Sequence, residues 1–370
     1  MLRPIMRTKT LAAVAAAAAL SLLALSRGDS APAAPSGDPL AAELARWSGM
    51  LKASKATDEN WEQVKQIAGP MLARAEQALK NGRRLLALQR LAAVRVYLAA
   101  SEYVQSFPES DRKSDAAFEA EWRRQGSVLR ADLAPIAPGR FDGLSPLAVR
   151  AVAEVALFQV KPFYDSSLEY GRNTMADTGF FYIGSAEAQR QLAALCRRLA
   201  TPTSVPAPAL RPLTPELDRL EAELLAAYRP PASIDKHPDF IAWSSAVNEA
   251  RELDAMGLRA GALLRYLQAA LRAAPVRTAP AADAAALRER LAGFEKRLAA
   301  GGVDHSIGRI FLESAQDDLA AAGSGEIPAA VGAIAGDVLP RYFAALEPAP
   351  PEAARPPAQV TVTLVRWPFT

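Results

Sequence analysis

The sequence predicts an all-α protein, built of antiparallel helical hairpins stacked as an irregular solenoid or multi-helix bundle, with one short β-like segment at the C-terminus. Three observations carry this reading. Apolar residues recur at intervals of three and four in nearly every segment after Pro39, the spacing that lines one face of a helix. Val, Ile and Thr, which favour strands, stay sparse until the last residues. Helix-start and helix-stop residues flank many of the periodic runs.

Residues 1–30 read as an export leader. Arg3, Arg7 and Lys9 precede an apolar run from Leu11 to Leu25, broken only by Ser21, and small and polar residues follow. The run is fifteen residues long, short of the roughly 20 that cross a bilayer core, so cleavage is expected over a retained anchor. Ala24-Leu25-Ser26 and Ala31-Pro32-Ala33 both offer small residues to a peptidase.

Region 40–200 follows. Leu40, Leu44, Trp47 and Leu51 mark a first amphipathic helix. Val64, Ile67, Met71, Leu72, Ala75 and Leu79 mark a second, which Gly69-Pro70 should kink or split and Asn81-Gly82 should end. Between Leu85 and Val104 apolar positions wrap most of the helix, as in a central buried one. Phe118, Trp122 and Leu129 define the next. Ser145-Pro146 and Thr214-Pro215 each place a hydroxyl at an N-cap and proline in the first turn, while Gly171, Gly257, Gly301 and Gly323 suit helix ends. Helices are thus expected near 146–160, 161–170, 178–200, 215–228, 238–256, 258–273, 282–299, 304–322 and 328–346, the last kinked at Pro340.

The Pro-rich stretch 201–213 should be an extended connection to region 214–346. A second Pro-rich stretch, 347–358, should be an extended spacer. In 359–370, Val360, Val362 and Leu364 alternate with Thr361 and Thr363, a period of two that marks a strand. A lone strand needs a partner for its backbone, so this segment is expected either to dock on another chain or to fold back and pack Trp367 and Phe369 on the helices.

Ala262, Tyr266 and Ala269 reproduce the small, aromatic, small spacing of a tetratricopeptide second helix, and the hairpin Asn248 to Ala274 resembles that repeat in this one respect. Pro275 falls one place late, the preceding helix lacks the matching Leu-Gly pair, and no period of about 34 residues emerges elsewhere, so no family is assigned.

Charge and motif content narrow the chemistry. Of 43 basic and 40 acidic residues, Arg3, Arg7, Lys9, Arg27 and Asp29 lie before Ala34, which leaves 39 of each sign in the rest. The surplus therefore belongs to the leader, and the body carries no basic excess that would mark a nucleic-acid binder. The chain contains 80 Ala, so its 50% hydrophobic content overstates the large side chains available to a core. One cysteine, Cys196, in Leu192 to Leu199, forms no internal disulfide and suits a buried apolar position. No metal-ligand spacing, phosphate loop, dinucleotide glycine pattern or nucleophile elbow is present, and no cofactor is expected. His237 reads as part of a polar turn, and Asp304-His305-Ser306 as a helix N-cap, since neighbours cannot converge as a triad. Asp58-Glu59 and Asp317-Asp318 read as solvated faces.

The densest aromatic region is Phe163-Tyr164, Tyr170 and Phe180-Phe181-Tyr182. Set antiparallel, these rings should meet near the turn between their helices, either as a local core or as phenols at the mouth of a groove. Tyr164, Tyr170 and Tyr182, with Trp367 in the tail, are the candidate binding residues. The function expected is that of an exported, non-catalytic helical-repeat protein offering a protein-binding or scaffolding surface, with a protein partner or self-association through the C-terminal segment. The alternative is a hydrolase of a cell-envelope polymer that uses a carboxylate pair.

Overall fold

The computed structural model describes residues 37–53, 59–137, 139–173, 175–229, 234–274, 283–300, 302–323 and 325–347. Among the described residues every regular element is helical and no strand occurs. The leader, the spacer after Glu347, the segment 359–370 and Gly301 lie outside the described residues.

The helices are α1 (Pro39–Ala53), α2 (Glu59–Lys80), α3 (Arg84–Gln105), α4 (Glu109–Arg112), α5 (Asp115–Val128), α6 (Arg130–Leu133), α7 (Leu147–Asn173) and α8 (Ala176–Leu199), then α9 (Thr214–Ala227), α10 (His237–Ala255), α11 (Arg259–Arg272), α12 (Ala284–Ala300) and α13 (Ser306–Ala322). The chain ends in α14 (Ala329–Ala333), a π turn at Ile334–Val338, and α15 (Leu339–Leu346). The stretch 201–213 contains no helix, as its prolines require.

Helix α7 is the hub. It packs on α8 and α11 along its flanks and also meets α3, α5, α6 and α13. Its sequence explains this, because from Leu147 to Val160 every residue except Arg150 and Gln159 is buried. Helix α13 returns from the C-terminal region to touch both α3 and α7. One cluster of buried apolar side chains consequently runs from Leu40 to Ala345, with a smaller one around Phe118, Phe180 and Ile183.

Several sequence expectations are corrected. Helix α2 runs unbroken through Pro70, and α7 runs through Pro162 where two helices were expected. Both prolines are exposed, so the carbonyls they displace can bond to water while the opposite face stays packed. Near Pro340 the chain widens: the Leu339 N–H donates to the Ile334 carbonyl five residues back, which shifts the ladder ahead of a residue with no N–H to give. Gly171 lies inside α7 and ends nothing. A Cβ there would sit 2.4 Å from the Phe118 ring, and one on Gly179 of α8 would meet the same ring at 2.4 Å, so the two glycines form a slot for Phe118. Gly257 and Gly323 do follow helix ends with positive φ, 75° and 55°.

The expected caps are also replaced. Ser145 Oγ donates to the Thr201 carbonyl at 2.7 Å, while the first amides of α7 turn to the far end of the chain. Leu147 N–H donates to Asp304 Oδ2 and Ala148 N–H to Ser306 Oγ at 2.8 Å. Thr214 is the first residue of α9, and the preceding Leu213 N–H donates to Asp254 Oδ2 at 3.0 Å. The Gly261 N–H in the first turn of α11 donates to Glu154 Oε2 at 2.7 Å. Three helix starts therefore take their acceptors from other helices or their ends.

Candidate functional site

Helices α7 and α8 form an antiparallel hairpin, one ending at Asn173 and the other starting at Ala176, and this brings Tyr170 and Tyr182 together. Their rings stack with centroids 4.7 Å apart and planes 4° from parallel. Phe163 stands 6.2 Å from Tyr182, Phe181 6.2 Å from Tyr182, and Tyr97 of α3 5.9 Å from Phe181. These five rings form a ledge across three helices. Tyr170 is 36% exposed and the other four are half-buried.

Burial, then the neighbouring Tyr170 phenol and the Glu169 carboxylate, push the Tyr182 phenol up to about 12, so it stays a protonated hydrogen-bond donor. Burial also raises the Tyr97 phenol. Beside the stack, Lys161 pairs with Asp165, whereas the exposed Glu169 makes no hydrogen bond or ion pair among the described residues. The arrangement offers ring faces, phenol donors and one uncompensated carboxylate.

Tyr164 does not join the ledge. It points to the other side of α7, is 6% exposed, stacks on Trp122 at 5.1 Å and donates its hydroxyl to the Trp122 carbonyl at 2.8 Å. Phe180 likewise turns inward, against Phe107 at 4.6 Å and Phe118 at 5.8 Å. Trp367 lies outside the described residues. Tyr97 was not among the candidates. It belongs to an almost wholly apolar run, and nothing local distinguishes it from the core residues around it.

Several other polar groups of interest pair within the fold. Asp304 Oδ1 accepts the Ser306 N–H at 2.9 Å, and His305 Nδ1 meets the Tyr342 hydroxyl at 2.9 Å with its ring held below the usual imidazole range by burial. His237 Nδ1 lies 3.2 Å from the Tyr228 hydroxyl. Asp317 and Asp318 are not on a solvated face. Asp317 pairs with Arg83 and with Arg90 (2.9 Å), and Asp318 pairs with Arg74, all between α13 and the α2–α3 hairpin. Burial, and then the nearby Arg74, bring the Arg90 guanidinium down to about 10, and burial raises the carboxyls of Asp318 and Glu313. Among the described residues no group of three metal-ligating side chains occurs. A cavity of about 150 Å³ between α1, α3 and the start of α7 is lined by Leu40, Leu85, Leu88 and Val149 and carries no carboxylate. A wide depression on α12 carries one, Glu289.

No protein-family model, no curated protein and no solved structure matches the chain.

Proposed function

We propose that the chain is an exported, non-catalytic helical-repeat protein whose stacked hairpins, an irregular solenoid, offer a protein-binding or scaffolding surface centred on the aromatic ledge. The observation that carries this reading is the company of Tyr170 and Tyr182, five rings gathered on one patch yet left half-open to solvent. Large aromatic faces of this kind are favoured contact groups because they supply area at little entropy cost. Export rests on the leader pattern in residues 1–30. The hydrolase alternative draws less support. Neither cavity joins two carboxylates, and the acids with raised proton affinity, Glu154, Glu313 and Asp318, stand beside Arg150, Arg83 and Arg74 inside the fold.

The test is Tyr170→Ala together with Tyr182→Ala, assayed by affinity capture from the exported fraction and by thermal unfolding. Capture is expected to fall while stability changes by no more than about 1 kcal/mol at the exposed Tyr170. Unchanged capture with a large stability loss would identify the rings as local core. N-terminal sequencing of the exported protein checks removal of the leader.

A further inference from the structure

We infer that the ledge is the seat for the Pro-rich segment of a second copy of this chain, with Arg355 paired to Glu169 and Pro356-Pro357 laid across Tyr170 and Tyr182. The inference rests on the binding-surface reading above and names its partner.

Beyond Glu347 the sequence runs Pro348, Pro350, Pro351, Pro356, Pro357. Proline fixes its own φ, so a sequence of this composition favours an extended form that loses little entropy on docking and offers its carbonyls to outside donors. Its natural complement is a surface of aromatic faces with hydrogen-bond donors at their edges. The ledge has both: stacked and tilted rings about 5 to 6 Å apart and the phenols of Tyr97, Tyr170 and Tyr182. The Tyr182 phenol is hydrogen-bonded to the Tyr170 hydroxyl and keeps its proton up to about 12, which leaves the Tyr170 proton free to be given outward, and the Tyr97 hydroxyl makes no side-chain hydrogen bond among the described residues.

Charge fixes the register. Glu169 adjoins Tyr170, is exposed and has no cationic partner among the described residues. Arg355 is the sole cation between Glu347 and Gln359 and stands directly before a proline pair. A guanidinium and a carboxylate can meet through two parallel hydrogen bonds, which adds direction to the apolar contact.

Reach decides between the same chain and a second copy. Helix α15 ends beside Arg211, whose Nε donates to the Glu347 carbonyl at 2.9 Å, and Tyr342 of α15 bonds His305 next to the Asp304 that caps α7. The tail thus leaves from the end of the molecule where α7 begins. Tyr170 lies 23 residues further along α7, about 35 Å at 1.5 Å per residue. Arg355 is eight residues beyond Glu347, about 25 Å at the polyproline rise. It falls short of its own ledge and meets that of a neighbour, and two such contacts about a two-fold axis close a dimer.

The experiment is sedimentation of the full chain over a range of concentrations, with Glu169→Lys, Arg355→Glu and the double exchange compared, and circular dichroism to verify that each is folded. Concentration-dependent dimers are expected, at least tenfold weaker in either single variant and restored in the double exchange. A free peptide spanning residues 347–358 should compete with the dimer. A chain that stays monomeric at every concentration, or dimers indifferent to both charge reversals and to the peptide, overturn the inference. Should Tyr170→Ala still abolish capture of an exported protein in that case, the binding-surface reading survives and this partner is wrong. If Tyr170→Ala affects neither capture nor dimers, both fall.

Discussion

Glu154 shows how one residue type can serve architecture where chemistry might be sought. It is wholly buried, accepts the Gly261 N–H at 2.7 Å and pairs with Arg150 at 2.7 Å. Desolvation raises its carboxyl above the usual range despite those partners. The fold therefore binds this proton more tightly than the unfolded chain does, and stability from this group is lost as pH rises from about 4 through the raised value. Glu154→Gln keeps an acceptor for Gly261 and removes the charge. Urea unfolding at several pH values should show the Gln variant gaining on wild type as pH rises, whereas Glu154→Ala should lose about 2 to 4 kcal/mol by stranding an amide and a guanidinium. Cys196 follows the same logic of burial. Its thiol is pushed up to about 12, so a thiol reagent at neutral pH should modify it only at the rate of unfolding. The apolar surroundings of Cys196 were legible in the run Leu192 to Leu199, but the role of Glu154 was not, because its partner stands 107 residues away.

Among the elements, periodicity located the helices well, and α3 and α8 through α13 lie close to their expected spans. It failed where a local breaker argued against a packed face. Pro162 suggested a boundary that α7 ignores, since burial of twelve of the fourteen residues from Leu147 to Val160 holds the helix together. Glycine misled in a related way. Gly171 and Gly179 look like helix weaknesses in sequence, yet they admit the Phe118 ring between α7 and α8. Gly171→Ala should lose about 1 to 3 kcal/mol through overpacking, against the usual helix preference for Ala. Gly293 in α12 faces open space, and Gly293→Ala should stabilise by about 0.5 to 1 kcal/mol. Thermal unfolding of the two variants side by side separates the packing effect from the backbone effect.

At the scale of the whole molecule, the ends of the described chain are joined through charge. Arg74, Arg83 and Arg90 bridge more than 220 residues of sequence to reach Asp317 and Asp318. Removing Asp317 leaves Arg90, 4% exposed, without its carboxylate, so Asp317→Ala should lose about 3 to 5 kcal/mol in chemical unfolding, while an apolar replacement of the whole cluster should be far milder. Nothing in the sequence announces this junction, because an Asp-Asp pair on a helix resembles any solvated face. The ledge was half legible for the same reason. Tyr170 and Tyr182 sit on consecutive helices joined by a short turn, so their meeting follows from antiparallel geometry, whereas Tyr97 arrives from a helix that only tertiary packing could bring there.

The capping of α7 by Asp304 sets an order in time as well as in space. The acceptor for the Leu147 amide lies 157 residues downstream, and at 5 to 20 residues per second a ribosome needs roughly 8 to 30 seconds to supply it. Throughout that interval the central helix has an open amide end. The hub therefore gains its protein cap only when the chain is nearly complete, and until then water must satisfy that end.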